Sequence, residues 1–223
     1  MKTSNKLLLA FVGLIVLLML LSDTVMWANY KRGRSGDGLL TDDNLNIKRN
    51  RVTTSAFKVL KIKGDADSHL FIESDEKYQL LFTADKSQQP VYAAQNDTLF
   101  IELKQGHYVT VRCPALQTVI LSEGTGVDMQ QLHLAELNIL AGKSCSMRLV
   151  DMRVKVLDVQ GGEENEFLAT GNSSRIDSIH LQLGKSSVLK SHDVHYGHVS
   201  MSVDSLQDLQ LTGESLTSMK QIQ

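Results

Sequence analysis

The sequence predicts an all-β protein: a single parallel, right-handed β-helix with rungs of about 20 residues, preceded by one N-terminal transmembrane helix. Three observations carry this. Apolar residues recur in files at one long period between residues 116 and 203, a fifteen-residue apolar run lies close to the N-terminus, and beyond that run no stretch carries the 3.6-residue apolar stripe of an amphipathic helix.

The files can be followed by subtraction. One runs Val119, Leu137, Leu157, Ile179, Val199, in steps of 18, 20, 22 and 20, with a companion two positions on at Leu121, Ile139, Val159, Leu181, Met201. A spacing of two turns both members of a pair to one face of a strand. A second set lies at Val127, Met147, Phe167, Leu189, Leu209 and a third at Leu134, Val154, Ile176, Tyr196. Ordering twenty backbone residues costs on the order of 20 to 40 kcal/mol, while six aliphatic side chains return roughly 1.5 to 3 kcal/mol each on burial. One rung therefore cannot fold alone, and stacking on its neighbours completes the core. Three short segments per step, none longer than about five residues, predict a roughly triangular section. A leucine-rich repeat has a similar period but needs an L-x-x-L-x-L-x-x-N frame that this chain lacks.

In chain order, Lys2 and Lys6 precede the apolar run Leu7 to Leu21, and counting on to Ala28 gives 22 residues, enough to span a bilayer core. Asp23 then falls near the far interface, with Trp27 and Tyr30 suited to the headgroup belt. Cleavage after Ala28 would place Met26 where a small residue is wanted, so an uncleaved anchor is favoured over a cleaved signal. Lys31, Arg32 and Arg34 balance Lys2 and Lys6, so charge alone does not orient the span. The expected organisation is an anchor or signal segment over 1–30, a polar, glycine-containing tether over 31–55 and the β-helix domain over 56–223. Within the last, "AFKVLKI", "HLFIES", "YQLLFTA", "TLFIEL" and "YVTVRC" read as strands, with turns at Gly64 to Asp67, Pro90 and Asn96-Asp97. The polar C-terminal "SLTSMKQIQ" suits a cap on the stack.

Composition narrows the function. A net charge of -2 with scattered Lys and Arg argues against nucleic acid as a partner. The two cysteines, Cys113 and Cys145, are separated by 32 residues, which is not a whole number of rungs. They read as one small core residue and one turn residue. No G-x-S-x-G, P-loop, dinucleotide glycine fingerprint or H-E-x-x-H occurs, so no catalytic or cofactor-binding residue is assigned. The densest set of possible metal ligands is His192, His195 and His198 with Asp193, but a spacing of three alternates the faces of a strand, and a solvated turn is the simpler reading. An outward column Ile120, Asn138, Asp158, His180, Ser200 could set Asp158 beside His180, a surface pair of little energetic weight. The turn Gly161 to Asn165, "GGEEN", brings two carboxylates together, too few oxygens for calcium.

Laid out this way, "AFKVLKIKGDADSHLFIES", "NDTLFIEL" and the twenty-residue rungs give the chain, from about Phe57 onward, a resemblance to the putative autotransporter adhesin head GIN domain family of the bacterial envelope. The resemblance implies a parallel β-helix behind a signal or anchor, with no catalytic signature. The expected function is a non-enzymatic adhesion, binding or structural module of the bacterial cell envelope. It would be a single-pass membrane protein held through residues 7–28, with its β-helix periplasmic or extracytoplasmic and its partner an envelope protein or glycan. A polymerising scaffold like the bactofilins is the alternative, and a polysaccharide-active β-helix enzyme a more distant one.

Overall fold

The structure is a computed structural model and describes residues 49–65, 68–83, 89–104 and 108–220, together with residue 19. The chain divides into two compact units, Met1–Asn46 and Ile47–Gln223, and every described strand lies in the second. The anchor expected over 1–30 falls outside the described residues apart from residue 19, as does most of the stretch read as a tether. Among the described residues no helix is long and apolar enough to cross a membrane.

The second unit is all-β, with strands β1 (Arg49–Thr53), β2 (Val59–Gly64), β3 (Ser68–Ser74), β4 (Gln79–Thr83), β5 (Val91–Gln95), β6 (Thr98–Leu103), β7 (Tyr108–Cys113), β8 (Thr118–Leu121) and β9 (Thr125–Gln130). There follow β10 (His133–Ala141), β11 (Ser146–Val150), β12 (Arg153–Gly161), β13 (Glu166–Thr170), β14 (Arg175–Leu183), β15 (Ser187–His192), β16 (His195–Val203), β17 (Leu206–Thr212) and one short helix, α1 (Glu214–Lys220). They form two large, mostly parallel sheets, ordered β1-β4-β7-β3-β9-β11-β13-β15-β17 and β16-β14-β12-β10-β8-β2-β6-β5. From β8 onward the chain alternates between the sheets, and each strand pairs in parallel with the one 20 or 22 residues on. The inward side chains of both sheets form one apolar cluster.

The period read from the sequence is correct, but its first file was drawn out of register. Val119 pairs with Ile139, and Ile139 with Val159, so Val119 belongs to the file Val119, Ile139, Val159, Leu181, Met201, in steps of 20, 20, 22 and 20. Likewise Asn138, Asp158, His180 and Ser200 are in register with Thr118, not with Ile120. An apolar residue stands at both Val119 and Leu121, so hydrophobicity alone could not tell a step of 18 from one of 20. The extra two residues of the third step sit in the turn Gly171–Ser174, which replaces the two-residue turn Asp151–Met152 and leaves the strands in phase.

The three segments expected per step are two. The third apolar set and the first lie on the same nine-residue strands, β10, β12, β14 and β16. Pairing passes from Leu134↔Val154 to Glu136↔Val156, omitting Ala135, so two exposed residues separate the inward Leu134 from the inward Leu137. That irregularity bends each long strand, which broke the period of two and made one strand read as two segments.

Both corners of each step use left-handed backbone. One corner carries Gln131, Asp151, Gly171, Asp193 and Gly213 at positive φ, and the other carries Gly124, Ser144, Glu164 and Ser186. Directly after the second group come Thr125, Cys145, Asn165 and Ser187, all buried, whose side chains turn back onto corner carbonyls. Thr125 Oγ1 donates to Ser122 O (2.7 Å), Ser187 Oγ to Gly184 O (2.9 Å) and Cys145 Sγ to Ser122 O (3.0 Å). Asn165 does most. Its Nδ2 donates to Gly162 O (2.9 Å) and Gly142 O (3.0 Å), while its Oδ1 accepts from Cys145 N–H (2.7 Å), tying two steps together.

The first third is β-rich and less regular, as its sequence implies, but its spatial order differs from its chain order. β2 and β3 lie between the later pairs β6/β7 and β8/β9 and are parallel to both. Arg49–Thr53, inside the stretch read as a tether, pairs antiparallel with β4, and β5 pairs antiparallel with β6 through a turn at Asn96 and Asp97, both at positive φ. Replacing Asn165 by Ala should lower unfolding free energy by about 2 to 4 kcal/mol in urea titrations, because three buried backbone groups lose their partner. Asn165→Asp should be at least as damaging, since a carboxylate would face two carbonyl oxygens; wild-type stability in either variant would remove this corner from the account of the fold.

Candidate functional site

The bend in the long strands shapes the outer surface as well as the core. Where β10, β12 and β14 bend, a groove of about 340 Å³ opens, lined by His133, Arg153, Lys155, Arg175 and Asp177 over a floor that includes Leu134 and Val154. His133, Arg153, Arg175 and His195 are in strict register on successive strands and all are exposed. Strand pairing spaces them by about 4.8 Å, so the chain carries a basic row running across the strands. Arg175 Nε donates to Asp177 Oδ1 (2.9 Å), an exposed pair that aims the guanidinium and contributes little to stability. Arg153 and Lys155, from β12, supply the remaining permanent charge. A hollow of about 300 Å³ by Leu140, Gln160 and Gln182 carries none.

This row was not found in the sequence. His133, Arg153, Arg175 and His195 are 20, 22 and 20 residues apart, so a search for local basic clusters passes over them. Applying the period of the apolar files to the polar positions would have found it.

The residues that were singled out are kept apart. His192, on β15, has Nδ1 2.7 Å from Thr212 Oγ1; His195, on β16 in the other sheet, has Nδ1 3.0 Å from Glu214 Oε1; and His198 meets the edge of the His180 ring, centroids 6.5 Å apart. Asp193 is a left-handed corner residue whose carboxylate accepts from Glu214 N–H at the start of α1 (3.4 Å), and a Cβ at Gly213 would collide with it. Among the described residues no group of three or more His, Cys, Asp or Glu is placed to hold a metal ion. Asp158 and His180 are in register, but among the described residues no ion pair within 4.0 Å joins them. In the "GGEEN" turn, Glu163 and Glu164 both face Lys143 of the preceding turn (3.7 and 3.6 Å), and the residue on which that turn depends is its Asn165.

The cysteines behave as their spacing implies. Both are buried and free, Cys113 on an inward strand position and Cys145 at a corner. Burial pushes the Cys113 thiol up to about 12 and raises that of Cys145. Tyr196, the last member of the third file, is also buried and pushed up to about 12 by desolvation, its hydroxyl 2.8 Å from Ser191 Oγ. Neither thiol is placed for nucleophilic chemistry, which requires the thiolate.

No family profile matches this sequence, and no curated protein matches it. Among solved structures it is similar to a "putative adhesin" from Bacteroides fragilis (11% identity, TM-score 0.48, covering 74% of this chain and 96% of that one). It is also similar to a "putative lipid binding protein" from Parabacteroides distasonis (12%, 0.48, 74% and 95%) and a "putative adhesin" from Parabacteroides merdae (12%, 0.36, 75% and 96%).

Because the folded chain holds Cys113 and Tyr196 protonated above their ordinary values of 9.0 and 10.0, their contribution to stability is complete below those values and is lost as pH rises toward about 12. Thermal midpoints should fall across that alkaline window, and Tyr196→Phe should make the upper part of the fall shallower. At pH of about 8 a thiol reagent should label neither cysteine until the chain is unfolded; prompt labelling of the folded protein would contradict the burial.

Proposed function

We propose that this protein is a non-enzymatic binding module of the bacterial cell envelope, a right-handed β-helix behind a membrane anchor in residues 7–28, whose basic groove receives an anionic glycan on the extracytoplasmic side. Parallel pairing of strands 20 to 22 residues apart in both sheets supports the β-helix, and the apolar run after Lys6 supports the anchor. On this reading the chain is kin to the putative autotransporter adhesin head GIN domain family, as its opening strands and its rungs imply.

The observation that carries the binding role is the basic row His133, Arg153, Arg175, His195 with Lys155 beside it. A regular array of cations suits a ligand with regularly spaced anions, and an open groove lets a chain lie across the strands rather than demanding a chain end. The row keeps its charge at neutral pH through Arg153, Lys155 and Arg175, and gains from the histidines as pH falls toward 6. No reaction is required of these residues, and the sequence contains none of the nucleophile or metal motifs named above.

Heparin, as an anionic glycan probe, should bind the full-length protein more weakly as salt rises, whereas neutral dextran should not bind. Reversing Arg153 and Lys155 to Glu should cost at least tenfold in affinity, about 1.4 kcal/mol, with the fold unchanged by circular dichroism. Equal binding of dextran, or an unchanged affinity in the variant, would remove the groove from the function. Protease added to spheroplasts should digest the β-helix; its protection there would place it on the other side of the membrane.

A further inference from the structure

We infer that a second copy of this chain docks on the C-terminal end of the stack, with β16 and β17 of one copy pairing with the same two strands of the other about a two-fold axis. β16 and β17 are the terminal strands of their sheets, each bonded on one side only, to β14 and β15. They are consecutive, joined by Asp204-Ser205, so both open edges belong to one step and lie at one end. The interior is uncovered there. Met201 continues the file Ile139, Val159, Leu181, whose members are at most 4% exposed, yet is 47% exposed itself; Leu209 continues Val127, Met147, Phe167, Leu189, at most 3% exposed, and is 48% exposed. Helix α1 closes one corner only, where Ser215 Oγ accepts from Val194 N–H and Ser191 Oγ, and Ser218 Oγ accepts from Tyr196 N–H.

Exposed strand edges are ordinarily guarded by charge, proline or a cover. β16, "HYGHVSMSV", contains no Lys, Arg, Asp, Glu or Pro, and β17, "LQDLQLT", has one acid. The opposite end is finished differently. There the sheets stop at β1 and β5, both antiparallel to their neighbours, β1 carrying Arg49 and Arg51 and β5 following Pro90. The inward residues beneath them, Leu80, Phe82, Leu99 and Ile101, are at most 5% exposed, and Phe82 meets Tyr92 across the gap at 6.3 Å between centroids. One open end and one closed end make a two-fold pair, not a growing filament.

The shape of the open end selects the occupant. Its two free edges run in opposite directions on facing sheets, roughly 10 Å apart, with apolar side chains between. A single extended peptide would satisfy one edge and leave the other open. The same end of another copy offers two strands at the required separation, and any two-fold axis perpendicular to the stack brings both pairs together antiparallel, the arrangement already used at the other end.

Sedimentation equilibrium of the full-length chain in a density-matched detergent, over a hundredfold range of concentration, should give a monomer-dimer equilibrium with nothing larger. Met201→Lys and Leu209→Lys, at positions already half-exposed, should each shift it at least about tenfold toward monomer. Leu140→Lys, on the outward face of β10 and 39% exposed, should leave it unchanged. Hydrogen exchange on the unaltered protein needs no variant to fold: amides of β16 and β17 should gain protection as concentration rises. A monomer at every concentration, filaments by electron microscopy, exchange in β16 and β17 independent of concentration, or dissociation by Leu140→Lys but not by Met201→Lys would each overturn the proposal.

Discussion

From Thr118 to Thr212 every strand takes backbone partners about twenty residues away, and the structure depends on keeping that distance in phase. The corners do this. A left-handed residue at each corner turns the chain within two or three positions, and Thr125, Cys145, Asn165 and Ser187 bond back to corner carbonyls that the core would otherwise leave without partners. A slip of one residue would turn the inward file outward, so the two-residue insertion is taken up at Gly171–Ser174, outside any strand. Asn165 serves two steps at once because its amide both donates and accepts.

Parallel stacking creates a problem at each end, and the chain meets it in two ways. At the start, β2 and β3 are enclosed by later strands on both sides, and the sheets finish in antiparallel edges. At the finish, the polypeptide leaves Gly213 into α1, whose serines satisfy the corner at Val194 and Tyr196 while the middle of the last step stays bare. The polar C-terminal segment is thus a cap on one corner. A difference of this kind between two ends of one stack is what distinguishes a closed pair from an extended polymer.

The outer surface follows from the same repetition. Bending each long strand at Ala135, Lys155 and Asp177 makes a concave strip, and because neighbouring bends are in register the strip runs across the strands as a groove. Basic residues placed at one position of each step become a row without being close in sequence. Elsewhere charges are paired locally, as with Lys143 between Glu163 and Glu164 or Arg112 with Glu73, and Asp128 lies largely buried with His69 Nε2 at 3.2 Å. The groove is where a repeated position carries one sign of charge.

Apolar periodicity by itself determined that this chain is β-rich, that its repeat is about twenty residues and that Met147, Phe167 and Leu189 share a file, because burial demands apolar side chains at positions that recur with the coil. The cysteine spacing was equally informative, since two thiols out of phase cannot meet on adjacent steps. Four features waited for the fold. The register of Val119, the fusion of two expected segments into one bent strand, the position of β2 between β6 and β8, and the basic row all depend on which strand lies beside which. Side-chain chemistry fixes which residues must be inside, but backbone hydrogen bonding between distant strands decides what stands next to what, and only the assembled sheets contain that information.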